Sequence, residues 1–177
     1  MFEDLSIDRR KTHFHLADAC RLAEDVPLPE CGESVRVISP DHGFSSAALI
    51  HRIFAEKSGI SELYATTLRV GKKEADLLCK MGIPVCQISA HGIMRENDGY
   101  YYSDDIERKF ENVGYVLRYV KNHSKVILIK TFDGDRYVIE TSSNLNENPK
   151  IEQFCITNSE ELFAWYYRAL KDLGVFL

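Results

Sequence analysis

From Val35 onward the chain alternates short apolar runs with amphipathic stretches. VRVIS, Val35 to Ser39, predicts a short buried strand stopped by Pro40. In DHGFSSAALIHRIFAEKSG, Ala48, Ile50, Ile53 and Phe54 supply one helical face, Ser45 or Ser46 is placed to cap it, and Gly59 to end it. ELYATTLRV, from Glu62 to Val70, predicts a second strand. KKEADLLCKMG predicts a second helix ending at Gly82, and IPVCQIS a third strand from Ile83. GIMRENDGYYYSDD reads as a polar loop, after which Asp104 and Glu107 start a helix over IERKFENVGYVLRYV, with Gly114 leaving its far end open. The last third changes period. HSKVILIKTF and RYVIETSS are strands joined by the turn Asp133 to Asp135, so they form a hairpin. IEQFCI is a further strand. A terminal amphipathic helix follows, capped by Asn158 or Ser159 and closed by Gly174. This repeated strand–helix rhythm favours a partly parallel α/β sheet.

Residues 1–35 read as an N-terminal extension. They mix charged and apolar residues at loose helical spacing, then break at Pro27, Pro29 and Gly32. Residues 36–177 read as one domain, which suits a chain of 177 residues. A net charge of -5 argues against sequence-blind nucleic-acid binding through global charge, so any such contact needs a local basic patch. No apolar run approaches the roughly 20 residues of a membrane-spanning helix, and the charged start lacks an apolar signal core. The five cysteines are odd in number and form no C-x-x-C pair, which points to reduced thiols in a cytoplasmic protein and away from a zinc site. No metal and no cofactor is expected.

Candidate chemistry lies in the hairpin region. His123 and Lys125 sit two apart at the start of a strand, where period-2 geometry puts both side chains on one face. An ammonium near an imidazole favours the neutral, nucleophilic ring and can hold an anionic oxygen. An isolated H-x-K is a weak pattern and is better read as two strand-end residues facing water. The hairpin, however, brings Ser142 and Asn144 back beside this pair, and Glu152 leads the next strand. An amide and an ammonium can bind two oxygens of one phosphate, and a carboxylate can fix a histidine tautomer. By itself, TSSN with NENP is as compatible with a turn rich in turn formers.

H-x-K, a hairpin, S-x-N and a downstream acidic residue together resemble the phospholipase D superfamily, whose motif is H-x-K-x4-D followed by G-S-x-N. The string HSKVILIKTFDGDRYVIETSSNLNENPKIEQF looks closest to phospholipase D-like proteins of bacteria, phages and mobile elements. LYATTLRVGKKEADLL resembles the segment that precedes their motif, and the likeness covers about residues 36–172. It implies an α/β fold with a mixed β-sheet flanked by helices on both faces. It also implies that His123 matches the nucleophile that forms a phosphohistidine, Lys125 and Asn144 the phosphate ligands, Ser142 the supporting hydroxyl, and Glu152 the acid that orients the histidine. The family's chemistry needs no metal. Two positions depart from the pattern: Lys130 stands where the motif has its aspartate, and Thr141 where it has its glycine.

The family's mechanism uses two histidines, one attacking phosphorus and one protonating the leaving oxygen. His13, His15, His42, His51 and His91 lack a lysine two residues on, so the chain carries a single H-x-K. The resemblance therefore implies a homodimer with His123 near its two-fold axis. Arg118, Lys121, Lys125 and Lys130 fall in a window without Asp or Glu, and with Arg69, Lys72 and Lys73 they are compatible with a basic groove, although Lys72 and Lys73 are better read as ordinary helix-surface lysines. Tyr100, Tyr101 and Tyr102 are of a type that stacks on bases, though a tyrosine run in a loop more often packs. The leading expectation is a metal-independent phosphodiesterase or nuclease acting on nucleic acid. The alternatives are a non-catalytic DNA-binding or interaction module with a degenerate motif and, third, phosphatidyl transfer on lipids.

Overall fold

In the computed structural model, residues 12–16, 26–39, 44–93, 103–146 and 151–177 are described. The strands are β1 (Thr12–Leu16), β2 (Ser34–Ser39), β3 (Ile60–Val70), β4 (Val85–Ile93), β5 (Val116–Tyr119), β6 (Val126–Thr131), β7 (Arg136–Thr141) and β8 (Glu152–Asn158). Between and after them lie α1 (Ser46–Glu56), α2 (Lys72–Met81), α3 (Ser103–Asn112) and α4 (Glu160–Asp172). The strands form one mixed sheet in the order β1-β2-β8-β7-β6-β3-β4-β5. β3, β4 and β5 run parallel, as the βα rhythm requires, and the β6–β7 hairpin and β8 pair antiparallel beside them.

Side chains of the central strands alternate between two cores. Ile127, Ile129, Tyr137, Ile139 and Ile156 pack with α1, α2 and α3 on one face, and Val126, Leu128 and Val138 pack with Phe163 and Leu170 of α4 on the other. The sheet is thus covered by helices on both faces, and continuous runs such as VILI are explained by burial on both sides. In α1, Leu49, Ile50 and Ile53 are fully buried, each contributing about 1.5–3 kcal/mol of transfer free energy. Ser159 caps α4 by accepting a hydrogen bond from Leu162 N at 3.2 Å.

Three elements differ from the sequence expectation. Thr12–Leu16 lies in the stretch with loose helical spacing, yet it is a strand paired in parallel with β2, where it satisfies backbone groups that β2 would otherwise leave unpaired. The helix whose far end Gly114 leaves open in the sequence ends at Asn112. Gly114, at φ 77°, turns the chain, Tyr115 N donates to Phe110 O at 2.8 Å, and β5 follows. This turn buries Tyr115, whose hydroxyl donates to Leu78 O (3.1 Å) and accepts from Ile83 N (2.8 Å). Finally, β6 begins at Val126, so His123 and Lys125 precede the strand instead of sharing its face. Of the loop expected over 92–105, Gly92 and Ile93 end β4 and residues 103–105 begin α3, while residues 94–102, Tyr100 to Tyr102 included, lie outside the described residues.

Candidate functional site

One edge of the sheet collects the C-terminal ends of β2, β3, β4, β5 and β7 and the first residues of β6 and β8. In open α/β sheets, ligands bind outside the carboxyl ends of the strands. Here this edge gathers the two motif segments. Thr141 N donates to Lys125 O at 3.1 Å, which joins the end of β7 to the H-x-K segment. The hairpin register, with Val126 opposite Glu140, produces this juxtaposition, as the sequence predicts.

Ser142 and Glu152 meet directly, the Ser142 hydroxyl donating to the Glu152 carboxylate. Gln153 N donates to Ser142 Oγ at 3.0 Å, and Ser142 N donates to Gln153 O at 3.1 Å. Glu152 is buried and sits opposite Ser39 in the β2–β8 ladder. A buried carboxylate requires hydrogen-bond donors, and Ser142 is one of them. Thr141, at the motif's glycine position, uses its side chain to close this turn: Oγ1 donates to Gln153 O (2.8 Å) and accepts from Ser143 N (2.9 Å).

Asn144 is held by β3. Leu68 N donates to Asn144 Oδ1 at 3.2 Å, Leu145 N donates to Thr67 Oγ1 at 3.0 Å, and Leu145 bridges Val70 in parallel. With its oxygen occupied by the backbone, the Asn144 amide keeps two N–H donors for a ligand oxygen. Lys125 Nζ donates to His123 O at 3.1 Å. The His123 side chain is exposed and makes no hydrogen bond to the described residues; Glu152 is engaged with Ser142 and forms none with the imidazole. Lys121 is exposed at the same edge.

Two expected contacts lie elsewhere. Arg118 projects toward the segment that follows α4, donating from Nη1 to Val175 O at 3.2 Å beside Ser89 Oγ, which donates to the same carbonyl at 2.7 Å. Lys130 stands at the far end of β6, about 16 Å along the strand from Lys125 at 3.3 Å per residue, and pairs with Glu62 at 2.6 Å. The structure therefore does not bring Arg118 or Lys130 to the group formed by His123, Lys125, Ser142, Asn144 and Glu152. Residues not foreseen from sequence, namely Thr66, Thr67, Asn122 and Ser124, do lie there. Asn122 and Ser124 form the Asx pattern N-x-S, and Thr66-Thr67 places two adjacent hydroxyls in the middle of a predicted strand. Both signals are visible in the sequence.

The opposite edge carries a separate polar cluster. The Asp135 carboxylate accepts from Lys57 Nζ (2.8 Å), Asn158 Nδ2 (2.9 Å) and Tyr137 OH (3.1 Å). Burial is the strongest single influence on Asp135 and pushes its carboxyl upward. The hydrogen bonds from Asn158, Lys57 and Tyr137 together outweigh it and hold the group below the usual range. The hydrogen bond to Asp135 in turn raises Lys57 above the usual ammonium range. Among the described residues no cluster of three His, Cys, Asp or Glu could hold a metal ion, and no helix is long and apolar enough to cross a membrane.

No family model and no curated sequence matches the chain. Solved structures similar in fold include a polyphosphate kinase and a phospholipase D family member. The polyphosphate kinase of Porphyromonas gingivalis aligns with a TM-score of 0.59 at 14% identity over 80% of this chain, which spans only 26% of the kinase. Nuc, a phospholipase D family member from Salmonella typhimurium, aligns with a TM-score of 0.52 at 18% identity, over 79% of this chain and 93% of Nuc. The mixed sheet, the helices on both faces and this likeness identify the architecture as a phospholipase D-like fold.

Proposed function

We propose that the protein is a metal-independent phosphodiesterase of the phospholipase D type, acting on nucleic acid as a homodimer. The observation that carries the reading is the convergence of His123, Lys125, Ser142, Asn144 and Glu152 on one sheet edge, joined by the Lys125–Thr141 backbone bond and the Ser142–Glu152 contact. The His123 imidazole attacks phosphorus, the bond to the leaving oxygen breaks, and His123 of the partner subunit gives that oxygen a proton. Water then cleaves the phosphohistidine and returns the proton. Lys125 and the Asn144 amide hold the non-bridging oxygens throughout. Lys121 is placed to meet a neighbouring phosphate. A second reading, a binding module without catalysis, is favoured by Lys130, whose ammonium is paired with Glu62 where the motif carries a carboxylate, and by Thr141.

The test is cleavage of single-stranded DNA, duplex DNA, RNA and a generic phosphodiester in EDTA, with wild type beside His123→Ala. Light scattering supplies the oligomeric state. Cleavage abolished by the substitution in a dimeric protein is the expected outcome. Salt-dependent binding to nucleic acid by a folded dimer that cleaves none of these substrates would favour the module instead.

A further inference from the structure

We propose that Thr66, Asn122 and Ser124 are positioning residues that fix the H-x-K segment against β3 for one tetrahedral oxyanion, an inference that rests on the catalytic reading of His123 and Lys125. Because both residues precede β6, the sheet's backbone holds this segment only at its end, where Lys125 O accepts from Thr141 N. Side chains hold the rest. Asn122 Oδ1 accepts from Ser124 N at 2.9 Å, closing an Asx turn around His123, and the Ser124 hydroxyl donates to the same oxygen at 2.7 Å. Asn122 Nδ2 donates to Thr67 O at 3.4 Å. Ser124 Oγ also lies 3.0 Å from Thr66 Oγ1, and Thr66 Oγ1 accepts from Val126 N at 2.9 Å. The chain is thus tied to β3 on both sides of His123.

Thr66 is the anchor. It is buried in the interior of β3, between β4 and β6, so its hydroxyl is set by a rigid element. The next residues of β3 serve the other motif: Thr67 Oγ1 holds Leu145 N, and Leu68 N holds Asn144. Three consecutive residues of one strand therefore set the separation between the histidine segment and the asparagine amide. A nucleophile and its phosphate ligands must keep that separation within a fraction of an ångström for the reacting atoms to align.

Thr66→Val and Thr66→Ser form the decisive pair, since valine keeps the shape without the hydroxyl and serine restores it. Three quantities are measured in each full-length protein: amide hydrogen exchange, affinity for tungstate as a tetrahedral oxyanion, and turnover. In Thr66→Val, exchange at Ser124 and Val126 should rise while Ile127 to Ile129 stay protected, and tungstate affinity should fall about tenfold. Turnover should fall about 10- to 100-fold in kcat with KM within about twofold. Thr66→Ser should recover all three. Unchanged tungstate affinity in Thr66→Val, exchange raised uniformly through the sheet, no recovery in Thr66→Ser, or wild type that takes up no tungstate would each overturn the proposal. A wild type that binds tungstate but turns over no phosphodiester removes the catalytic reading. The valine–serine contrast in tungstate affinity then still supports the positioning role.

Discussion

Asp135→Asn separates the end of the sheet that holds the fold from the end assigned to chemistry. The substitution keeps the shape of the side chain but removes the charge that Lys57, Asn158 and Tyr137 all address. Hydrogen bonds to a charged group contribute more than neutral ones, and Tyr137 is fully buried, so its hydroxyl cannot turn to water when the acceptor weakens. A loss of about 2–4 kcal/mol at pH 7 is expected. For a domain of this length that lowers Tm by roughly 5–15 °C. The pH dependence has a definite sign. The Asp135 carboxyl is held below its ordinary range, so its contribution is complete above the unfolded value of about 3.9 and is lost as pH falls through the lower folded value. Lys57 is raised, so its part is complete at neutral pH and is lost only as strongly alkaline pH passes its folded value. The gap between wild type and Asp135→Asn should therefore be constant from about pH 5 to pH 9 and shrink below about pH 4. Urea melts at pH 7, 5 and 3 with matched m-values measure it, and phosphodiester cleavage under native conditions should be unchanged. A gap under about 0.5 kcal/mol at neutral pH, or one that widens on acidification, would refute the reasoning.

Other substitutions probe the two ends independently. Lys130→Ala should cost no more than about 1 kcal/mol, because its partner Glu62 is a partly exposed carboxylate, and phosphodiester cleavage should be unaffected; a large loss of cleavage in a folded variant would return Lys130 to the site. Ser142→Ala removes a donor from buried Glu152 and an acceptor from Gln153 N, so thermal melts should show a loss of about 1–3 kcal/mol. The same variant should leave Asn144 on Leu68 N, which amide exchange at Leu68 would report.

Most of the strand–helix order is legible in the sequence because apolar period and turn residues agree, as at the Asp133–Asp135 turn and the Ser159 cap. The juxtaposition of H-x-K with S-x-N is legible as well, since a hairpin of known turn fixes its own register. Arg118 illustrates what is not legible. A cation near a motif in sequence projects to either face of a short strand, and the face is decided by where α4 and Val175 pack. Lys130 makes a similar point: five residues along a strand are close in sequence and about 16 Å apart in space. At Gly114 the helical pattern of IERKFENVGYVLRYV was overridden by the gain from burying Tyr115 against Leu78 and Ile83. The parallel pairing of Thr12–Leu16 depends on β2 having an open edge, which no local pattern in THFHL reveals.

The sheet order has a kinetic consequence. Ser39 lies opposite Glu152, and Asn144 is held by Leu68, so the site-bearing edge is stitched from segments far apart in the chain. Contacts of such long sequence separation close late, after the loops between them have lost their freedom. No hairpin or helix pair of this protein presents the complete group of five side chains. The nascent chain therefore cannot bring His123 and Lys125 together with the Asn144 amide and the buried Glu152 until β8 has docked. Once docked, any polyanion that engages them binds only the fully folded form and slows its unfolding by mass action.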